Sequence, residues 1–172
     1  MSAIALYARA TDGFDSRVAH AVAVLQSAAS EHAGRIVQAT SLGAEDMVIT
    51  DLIARHHLGI RIATLETGQL HDETLALLPR IEQRYGLVVE AFKPVAESVV
   101  HFVKTNGERA MYESIELRKA CCALRKLEPL SRRLAGQTAW VTGLRREQSD
   151  TRAEVPYSEP DPNGGPGGRI KF

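Results

Sequence analysis

The sequence predicts an α/β domain built on a parallel β-sheet flanked by helices. Short β-type runs alternate with amphipathic helical stretches along most of the chain, and this alternation is typical of parallel sheets with right-handed crossover connections. A length of 172 residues suits one domain with a substantial core. We therefore expect a single domain that extends over residues 1–172.

Composition and charge exclude several classes of protein. The 21 basic and 21 acidic residues cancel, which argues against nucleic-acid binding by the whole chain. No apolar run reaches the roughly 18 residues of a membrane span, and the first residues lack the pattern of a secretory signal. The two cysteines are adjacent and give no disulfide framework, so a cytoplasmic location is expected.

The first half of the chain predicts a helix followed by a β-α-β-α-β pattern. An alanine-rich stretch with apolar residues at helical spacing predicts the first helix, which ends near Gly34. Pro79 is expected to interrupt or bend a later helix, which ends at Gly86. The predicted strands are residues 35–40, 61–65 and 87–92, and the predicted helices are residues 14–31, 47–57 and 71–85.

The second half of the chain predicts two helical regions and a fourth strand. Asn106 and Gly107 end the first region, and Pro129 is expected to divide the second into two segments. Residues 169–172 look like the start of another strand, and a domain rarely ends there, so we expect the natural sequence to be longer. The helical regions are residues 96–104 and 109–134, the strand is residues 138–143, and a Pro/Gly-rich loop covers residues 157–168.

A turn of small residues separates the first strand from the helix that follows it. Gly43 allows the backbone to approach a ligand closely, and the free N–H groups at the start of the helix, together with its dipole, can hold a phosphate. Ser41 adds a hydroxyl donor. The alternative is an ordinary β–α connection in which Ser41 and Asp46 lie near the helix cap.

Two further segments belong to the same predicted edge of the sheet. Ligands of parallel sheets bind at the carboxyl ends of strands, near a switch point, and the turn at residues 66–68 ends the second strand. The strand at residues 138–143 is followed by Arg145, Arg146 and Arg152, whose planar guanidinium groups suit phosphate or sulfate. A solvated charge run is the alternative for these arginines.

The adjacent residues Cys121 and Cys122 lie among positive charges. Nearby cations favour the thiolate, which ligates metals and attacks electrophiles. Neighbouring Cα atoms, about 3.8 Å apart, are too close for a usual disulfide. Helical side chains roughly 100° apart can both reach one bulky centre, such as an iron–sulfur cluster. The alternative is two small core residues of a helix. The cations within four residues are Arg118, Lys119, Arg125 and Lys126.

Four motifs stand together in the chain: SLGAED at residues 41–46, ETGQLH at 66–71, CCALRKLEPL at 121–130 and WVTGLRREQS at 140–149. In this order and spacing they resemble the assimilatory adenylyl-sulfate reductases, relatives of the phosphoadenylyl-sulfate reductases. The first motif is shared with PP-loop adenine nucleotide alpha-hydrolases, whereas the last two are specific. The double cysteine resembles the cluster-bearing branch, which prefers adenosine 5′-phosphosulfate. The resemblance covers about residues 34–172.

The resemblance implies a reaction and a cofactor. Such enzymes reduce adenosine 5′-phosphosulfate to sulfite and AMP, in sulfate assimilation toward cysteine. A cysteine near the natural C-terminus forms an S-sulfonate, and thioredoxin or glutaredoxin releases sulfite. Cys121 and Cys122 would be two ligands of a 4Fe-4S cluster, with the other two supplied by a later Cys-x-x-Cys. No cysteine follows Cys122, so we expect a chain truncated at its C-terminus that binds the nucleotide but is inactive alone. Family members often form homo-oligomers.

The resemblance also implies roles for individual residues. Lys126, one turn beyond Cys122, would lie between cluster and sulfate and stabilise the departing phosphate, which makes it the expected catalytic cation. Backbone groups of Leu65 and Gly143 would face adenine. Glu66 stands where the family often has Asp or Asn, and we expect that change to be tolerated. The expected substrate-binding residues are Ser41, Gly43, Asp46, Leu65, Thr67, Gly68, Gly143, Arg145, Arg146 and Arg152.

Other functions fit part of the pattern. A phosphoadenylyl-sulfate reductase would share most motifs but usually lacks the cysteine pair. An ATP-using PP-loop enzyme, such as a sulfate adenylyltransferase subunit or a tRNA-thiolating ligase, would explain the first motif but not the cysteines with the arginine and lysine after them. A non-catalytic nucleotide-binding module is the third alternative.

Overall fold

A single mixed sheet forms the centre of the computed structural model, which describes residues 12–144, 154–165 and 167–172. Across the sheet the strand order is β3-β2-β1-β4-β6-β5. The pairs within β3-β2-β1-β4-β6 are parallel, and β5 runs antiparallel to β6. The strands of the described residues are β1 Ile36–Thr40, β2 Arg61–Leu65, β3 Val89–Phe92, β4 Ala139–Val141, β5 Glu159–Pro160 and β6 Ile170–Lys171.

Helices connect these strands. Within the described ranges, no helix has the length and the apolar character needed to cross a membrane. The α-helices are α1 Phe14–Glu31, α2 Ala44–Arg55, α3 Asp72–Leu75, α4 Leu77–Tyr85, α5 Ala96–Asn106, α6 Ile115–Cys122 and α7 Glu128–Leu134, with a 3-10 turn at Ala110–Tyr112 and a π-helical segment at Ala123–Leu127 between α6 and α7.

The alternation of side chains along each strand places a hydrophobic cluster on each face of the sheet. Ile36 and Val141 pack with α1 and α2 in one cluster. Val37 and Ala63 pack with Leu134 of α7 in the other. Because both faces are covered by helices, the strands are apolar on both sides, as expected for a parallel sheet.

The order of the strands creates a switch point at the carboxyl ends of β1 and β4. The chain runs outward from β1 through β2 to β3, and it then returns through α5, α6 and α7 to β4, on the other side of β1. Neighbouring strands with oppositely directed connections leave a crevice at their carboxyl ends, where ligands of α/β proteins bind.

The structure confirms the predicted fold class and differs from the sequence prediction in detail. Helix α2 begins at Ala44 rather than at residue 47. The break in the helix predicted at 71–85 falls at Ala76, and Pro79 lies in the first turn of α4, where a missing N–H costs no hydrogen bond. Pro129 likewise lies in the first turn of α7. Neither the π-helical segment nor β5 was predicted.

A buried ion pair attaches the β5–β6 hairpin to the rest of the domain. Arg169 Nε lies 2.7 Å from Asp161 Oδ2, and the two side chains are 9% and 5% exposed. The same guanidinium donates to the backbone oxygens of Leu134 and Asn163. Trp140 Nε1 donates to Asp161 Oδ2 at 3.0 Å. The pair therefore joins the hairpin to the end of α7 and to β4.

Burial by itself raises the pKa of Asp161, but the hydrogen bonds from Asn163, Arg169 and Trp140 and the charge of Arg169 outweigh it, so the pKa lies below its usual value. A carboxyl group with a lowered pKa contributes stability above its ordinary pKa. That contribution is lost as pH falls through the lowered value.

Replacing Asp161 by Asn would leave a buried guanidinium without its counter-ion. We expect the free energy of unfolding at neutral pH to fall by about 3 kcal/mol. The stability of the variant should also fall less steeply as the solution is acidified, because Asn does not take up the proton that Asp161 binds in the parent chain. Urea unfolding followed by circular dichroism at a series of pH values measures both effects.

Glu128→Gln is a matched control, because Glu128 pairs with Arg132 at 2.8 Å while the two side chains remain 43% and 47% exposed. Exposed pairs contribute little to stability, so this change should leave the unfolding curve nearly unchanged. Equal losses in the two variants would contradict the anchoring role of Asp161.

Candidate functional site at the carboxyl edge of the sheet

The side chain of Asp46 joins the ends of β1 and β4 at the switch point. Its Oδ2 accepts hydrogen bonds from the backbone N–H of Ser41 at 2.7 Å and from Ser41 Oγ at 2.5 Å. Its Oδ1 accepts from the backbone N–H of Gly143 at 2.7 Å. Asp46 is only 3% exposed, so these three donors compensate a buried charge.

The first turn of α2 is fixed on β1 by buried polar side chains. Gln38 Nε2 donates to the backbone oxygen of Asp46 at 2.8 Å. Thr50 Oγ1 lies 3.0 Å both from that oxygen and from Gln38 Oε1. Gly43 is the N-cap of this helix and makes no side-chain cap hydrogen bond. The N–H groups and the dipole of the first turn are directed toward the edge of the sheet.

The turn before α2 contains a residue in an unusual backbone conformation. Leu42 has φ 63°, in the left-handed region that costs a non-glycine residue about 1–2 kcal/mol. Its N–H donates to Thr40 Oγ1 at 2.9 Å, and its side chain is 5% exposed. Burial of this side chain and the hydrogen bond offset the backbone strain and hold the turn in one shape.

Gly143 is required by the close approach of β4 to the start of α2. A Cβ atom at this position would lie 2.6 Å from Asp46 Oδ1 and 2.8 Å from the Asp46 backbone nitrogen. A side chain would therefore push apart the two segments that form the switch point.

The turn after β2 closes on its own acidic residue. Glu66 Oε1 accepts a hydrogen bond from the N–H of Gly68 at 2.7 Å, and Glu66 Oε2 lies 3.6 Å from Lys93 Nζ. Gly68 has φ +72°, which suits glycine. Thr67 is buried, and its Oγ1 accepts from the N–H of Gln69 at 3.2 Å. The carboxylate of Glu66 thus shapes the turn from within.

The turns of β1 and β2 are connected across the sheet. Thr64 Oγ1 donates to the backbone oxygen of Thr40 at 2.9 Å, and both residues are buried. A shift at the end of one strand would therefore displace the end of the other.

The cysteine pair lies on the connection that returns the chain from β3 to β4. Cys121 is buried and Cys122 is half-buried, and both are free thiols at the end of α6. The π-helical segment follows directly, and such wide turns are frequent at functional sites. Lys126 is exposed on this segment.

Two thiolates side by side are soft ligands that suit an iron–sulfur cluster. Among the described residues, no three His, Cys, Asp or Glu side chains come together as a metal site. The sequence contains no third cysteine. The pair therefore fits two ligand positions of a four-thiolate centre, and the others would have to come from outside these 172 residues.

Arg125 connects the cysteine-bearing segment to the turn after β2. Its Nη1 donates to the backbone oxygen of Thr67 at 2.6 Å. The sequence marks Arg125 as a cation near the thiols, but only the structure shows this contact, which joins residues 58 positions apart. Three predicted pieces, the β1 turn, the β2 turn and the cysteine segment, thus meet at one edge.

The structure brings most of the predicted site residues to that edge. Ser41, Asp46 and Gly143 are in direct contact, and Gly43 begins the adjacent helix. Sequence reasoning missed the strained Leu42, for which no local signal exists. Leu65, Thr67 and Gly68 lie at the end of β2 and in the turn after it. Cys121, Cys122 and Lys126 lie on the segment that Arg125 joins to that turn. The three predicted arginines, Arg145, Arg146 and Arg152, lie outside the described residues.

A cavity of about 580 Å³ borders the β4 end of this edge. Its lining is mostly apolar and comes from α1, from α2 and from the segments that contain Gly143, Tyr157 and Phe172. The cysteine pair and the turn after β2 do not contribute to it. The cavity thus lies on the α1–α2 face and adjoins the site at Gly143 and the first turn of α2.

The doubly wound sheet and its small-residue turn before α2 define an α/β protein with a ligand crevice at the carboxyl ends of its strands. The sequence model of the phosphoadenosine phosphosulfate reductase domain matches residues 35–169. This match covers most of the chain, and the chain therefore belongs to that family.

Relatives at high identity carry a more particular name. A protein named adenosine 5′-phosphosulfate reductase from Allochromatium vinosum is 50% identical over 151 residues, which are 88% of this chain and 59% of the relative. One of the same name from Neisseria meningitidis serogroup A is 55% identical over 124 residues, or 72% of this chain and 51% of the relative. The chain thus spans between half and three fifths of the length of these relatives.

A solved structure agrees with the fold. The crystal structure of phosphoadenylyl-sulfate reductase from Candida auris, a phosphate complex, superposes with a TM-score of 0.69 at 22% identity, covering 95% of this chain and 79% of that one. This similarity supports the arrangement of the sheet and helices.

Gly143→Ala should separate β4 from the start of α2. We expect a loss of about 2 kcal/mol in the free energy of unfolding, because the added methyl group meets backbone and carboxylate atoms that cannot withdraw. Urea unfolding measures the loss. Gly167→Ala is the control, since a Cβ there meets nothing within 4 Å. If both variants were as stable as the parent chain, the close approach at Gly143 would not constrain the site.

Proposed function

We propose that the protein containing this chain is an adenosine 5′-phosphosulfate reductase, and that this chain provides its nucleotide-binding domain. The observation that supports this most directly is the Arg125–Thr67 contact, which brings the cysteine segment against a strand end at the switch point. Membership of the reductase family and relatives that carry this name support the same reaction.

The proposed reaction transfers a sulfonate group from a phosphate oxygen of the nucleotide to a cysteine sulfur. A cysteine thiolate attacks the sulfate sulfur, the bond from sulfur to the phosphate oxygen breaks, and AMP leaves with that electron pair. A thiolate of thioredoxin or glutaredoxin then attacks the cysteine sulfur, which releases sulfite and forms a disulfide. The attacking cysteine would come from outside these 172 residues, because both cysteines present are assigned here to the cofactor.

The nucleotide is proposed to lie over the carboxyl ends of β1, β2 and β4. The hydroxyl of Ser41 and the N–H of Gly143 both donate to Asp46, so Asp46 would act on the nucleotide by holding these two residues in place. Backbone groups of Leu65 and Gly143 would face the adenine. The first turn of α2 after Gly43 would face the phosphosulfate.

Cations would stabilise the negative charge of the substrate and of the departing AMP. Lys126 is exposed on the π-helical segment, one turn beyond Cys122, and its ammonium group is proposed to face an anion bound at the strand ends. Arg145, Arg146 and Arg152 are proposed to bind the same anion, since the strand that precedes them ends at this edge.

Cys121 and Cys122 are proposed as two of the four ligands of a 4Fe-4S cluster. When bound, the cluster would supply an iron–sulfur centre beside the sulfate. The protein's own contribution is to hold two thiols on a helix end that is tied to the nucleotide-binding turn by Arg125. Free thiols and thioredoxin chemistry suit a reducing cytoplasm, where the product sulfite would serve the synthesis of cysteine.

Isothermal titration calorimetry with the 172-residue chain tests the substrate. We expect adenosine 5′-phosphosulfate to bind about tenfold more tightly than its 3′-phosphorylated form, because one unmatched phosphate dianion costs at least about 1.4 kcal/mol. ATP should bind more weakly than adenosine 5′-phosphosulfate. Tight binding of ATP without binding of the sulfonucleotide would instead indicate an ATP-using PP-loop enzyme.

Lys126→Ala should weaken the binding of adenosine 5′-phosphosulfate by about tenfold, the effect of losing one charged contact. In the whole gene product it should also slow sulfite release with thioredoxin. Lys119→Ala is the matched control, because Lys119 is exposed on the preceding helix. Sulfite release and affinity at the parent level in the Lys126 variant would show that this cation has no role.

A further inference from the structure

We propose that Arg125 is a positioning residue that couples the turn after β2 to the cysteine-bearing segment. Occupation of the nucleotide site would then be transmitted to Cys122 through the Arg125–Thr67 hydrogen bond. The inference rests on the proposed function, because it takes the turn at residues 65–68 as part of the nucleotide site.

One end of this link is a rigid turn. The backbone oxygen of Thr67 accepts from Arg125 Nη1 at 2.6 Å, a short charge-assisted bond. The same nitrogen lies 3.3 Å from where a Cβ of Gly68 would stand, so the guanidinium packs directly on the turn. Thr67 is 6% exposed, and Glu66 closes the turn from within. The guanidinium is therefore held against a surface with little freedom.

The other end is a segment that depends on such a contact. Arg125 lies within the π-helical segment Ala123–Leu127, immediately after Cys122. A π-helical turn interrupts the regular hydrogen bonding of an α-helix and is rarely stable by itself. A side chain in this segment that binds elsewhere in the fold therefore helps to set where Cys122 and Lys126 lie.

The two ends belong to different layers of the fold. The turn after β2 is connected to the β1 turn through Thr64 and Thr40, which extends the link toward Asp46. The cysteine segment belongs to the helices that return the chain from β3 to β4. Two sites joined by a single defined contact influence each other if a ligand shifts that contact. The cation of Arg125 thus has a geometric role besides its charge.

The test compares three variants of the 172-residue chain. Arg125→Met keeps the length of the side chain and removes its donors, whereas Arg125→Lys restores one charged donor. Arg118→Met is the control, since Arg118 is an exposed cation on α6. AMP is the probe, because it cannot transfer a sulfonate group. Circular dichroism and a temperature far below unfolding ensure that folded protein is compared.

Two quantities are measured for each variant. Calorimetry gives the AMP affinity, and mass spectrometry gives the rate at which iodoacetamide alkylates the half-buried Cys122 with and without saturating AMP. The ratio of the two alkylation rates reports coupling, and it cancels any uniform effect of Arg125 on thiol reactivity. A role in general stability would not alter this ratio.

We expect saturating AMP to change the alkylation rate of the parent chain by about threefold or more. This change is smaller than the roughly tenfold effect that the loss of one charged hydrogen bond can produce. The ratio should fall toward one in Arg125→Met and be retained in Arg125→Lys and Arg118→Met. A ratio of one in the parent chain, or an unchanged ratio in Arg125→Met saturated with AMP, would overturn the coupling alone. Failure of the parent chain to bind AMP would refute the proposed function itself.

Discussion

The buried carboxylate of Asp46 is the constraint on which the site depends. A charge that is 3% exposed is stable only where donors surround it, and its donors come from Ser41 and from Gly143, which lies 97 positions after Asp46. Parallel pairing of β1 with β4 brings the strands together, but it does not dictate how the chain leaves them. Asp46 fixes both exits at once from its place in the first turn of α2.

A second set of contacts links the cysteine-bearing segment to this edge of the sheet. The connection from β3 to β4 passes through α6, a π-helical segment and α7, and Arg125 binds it to the end of β2. The small-residue turn before α2 and the thiols therefore belong to separate connections between strands, which approach each other where the strands end. In the proposed function, a nucleotide and a sulfur centre would lie side by side at this edge, away from the two hydrophobic clusters.

The sequence predicts the sheet well because parallel strands and amphipathic helices have strong local signals. It also predicts that Ser41, Asp46 and Gly143 lie at the same edge, since strand ends in a parallel sheet share one edge. The bond between Asp46 and Gly143 was not predictable, because nothing local specifies a partner so distant in sequence. Pro79 misled the assignment of a helix break, because proline is also common in a first turn.

The edge strand β5, which pairs with β6, affects how the sheet can meet other molecules. β5 is only two residues long, Glu159–Pro160, and the ring nitrogen of Pro160 carries no hydrogen to donate to another strand. Long, regular edge strands can pair with strands of neighbouring molecules and so lead to aggregation. A short edge strand that ends in proline and is held by the Asp161–Arg169 pair offers neighbouring molecules few backbone groups to pair with, so this hairpin protects its own edge of the sheet against added strands.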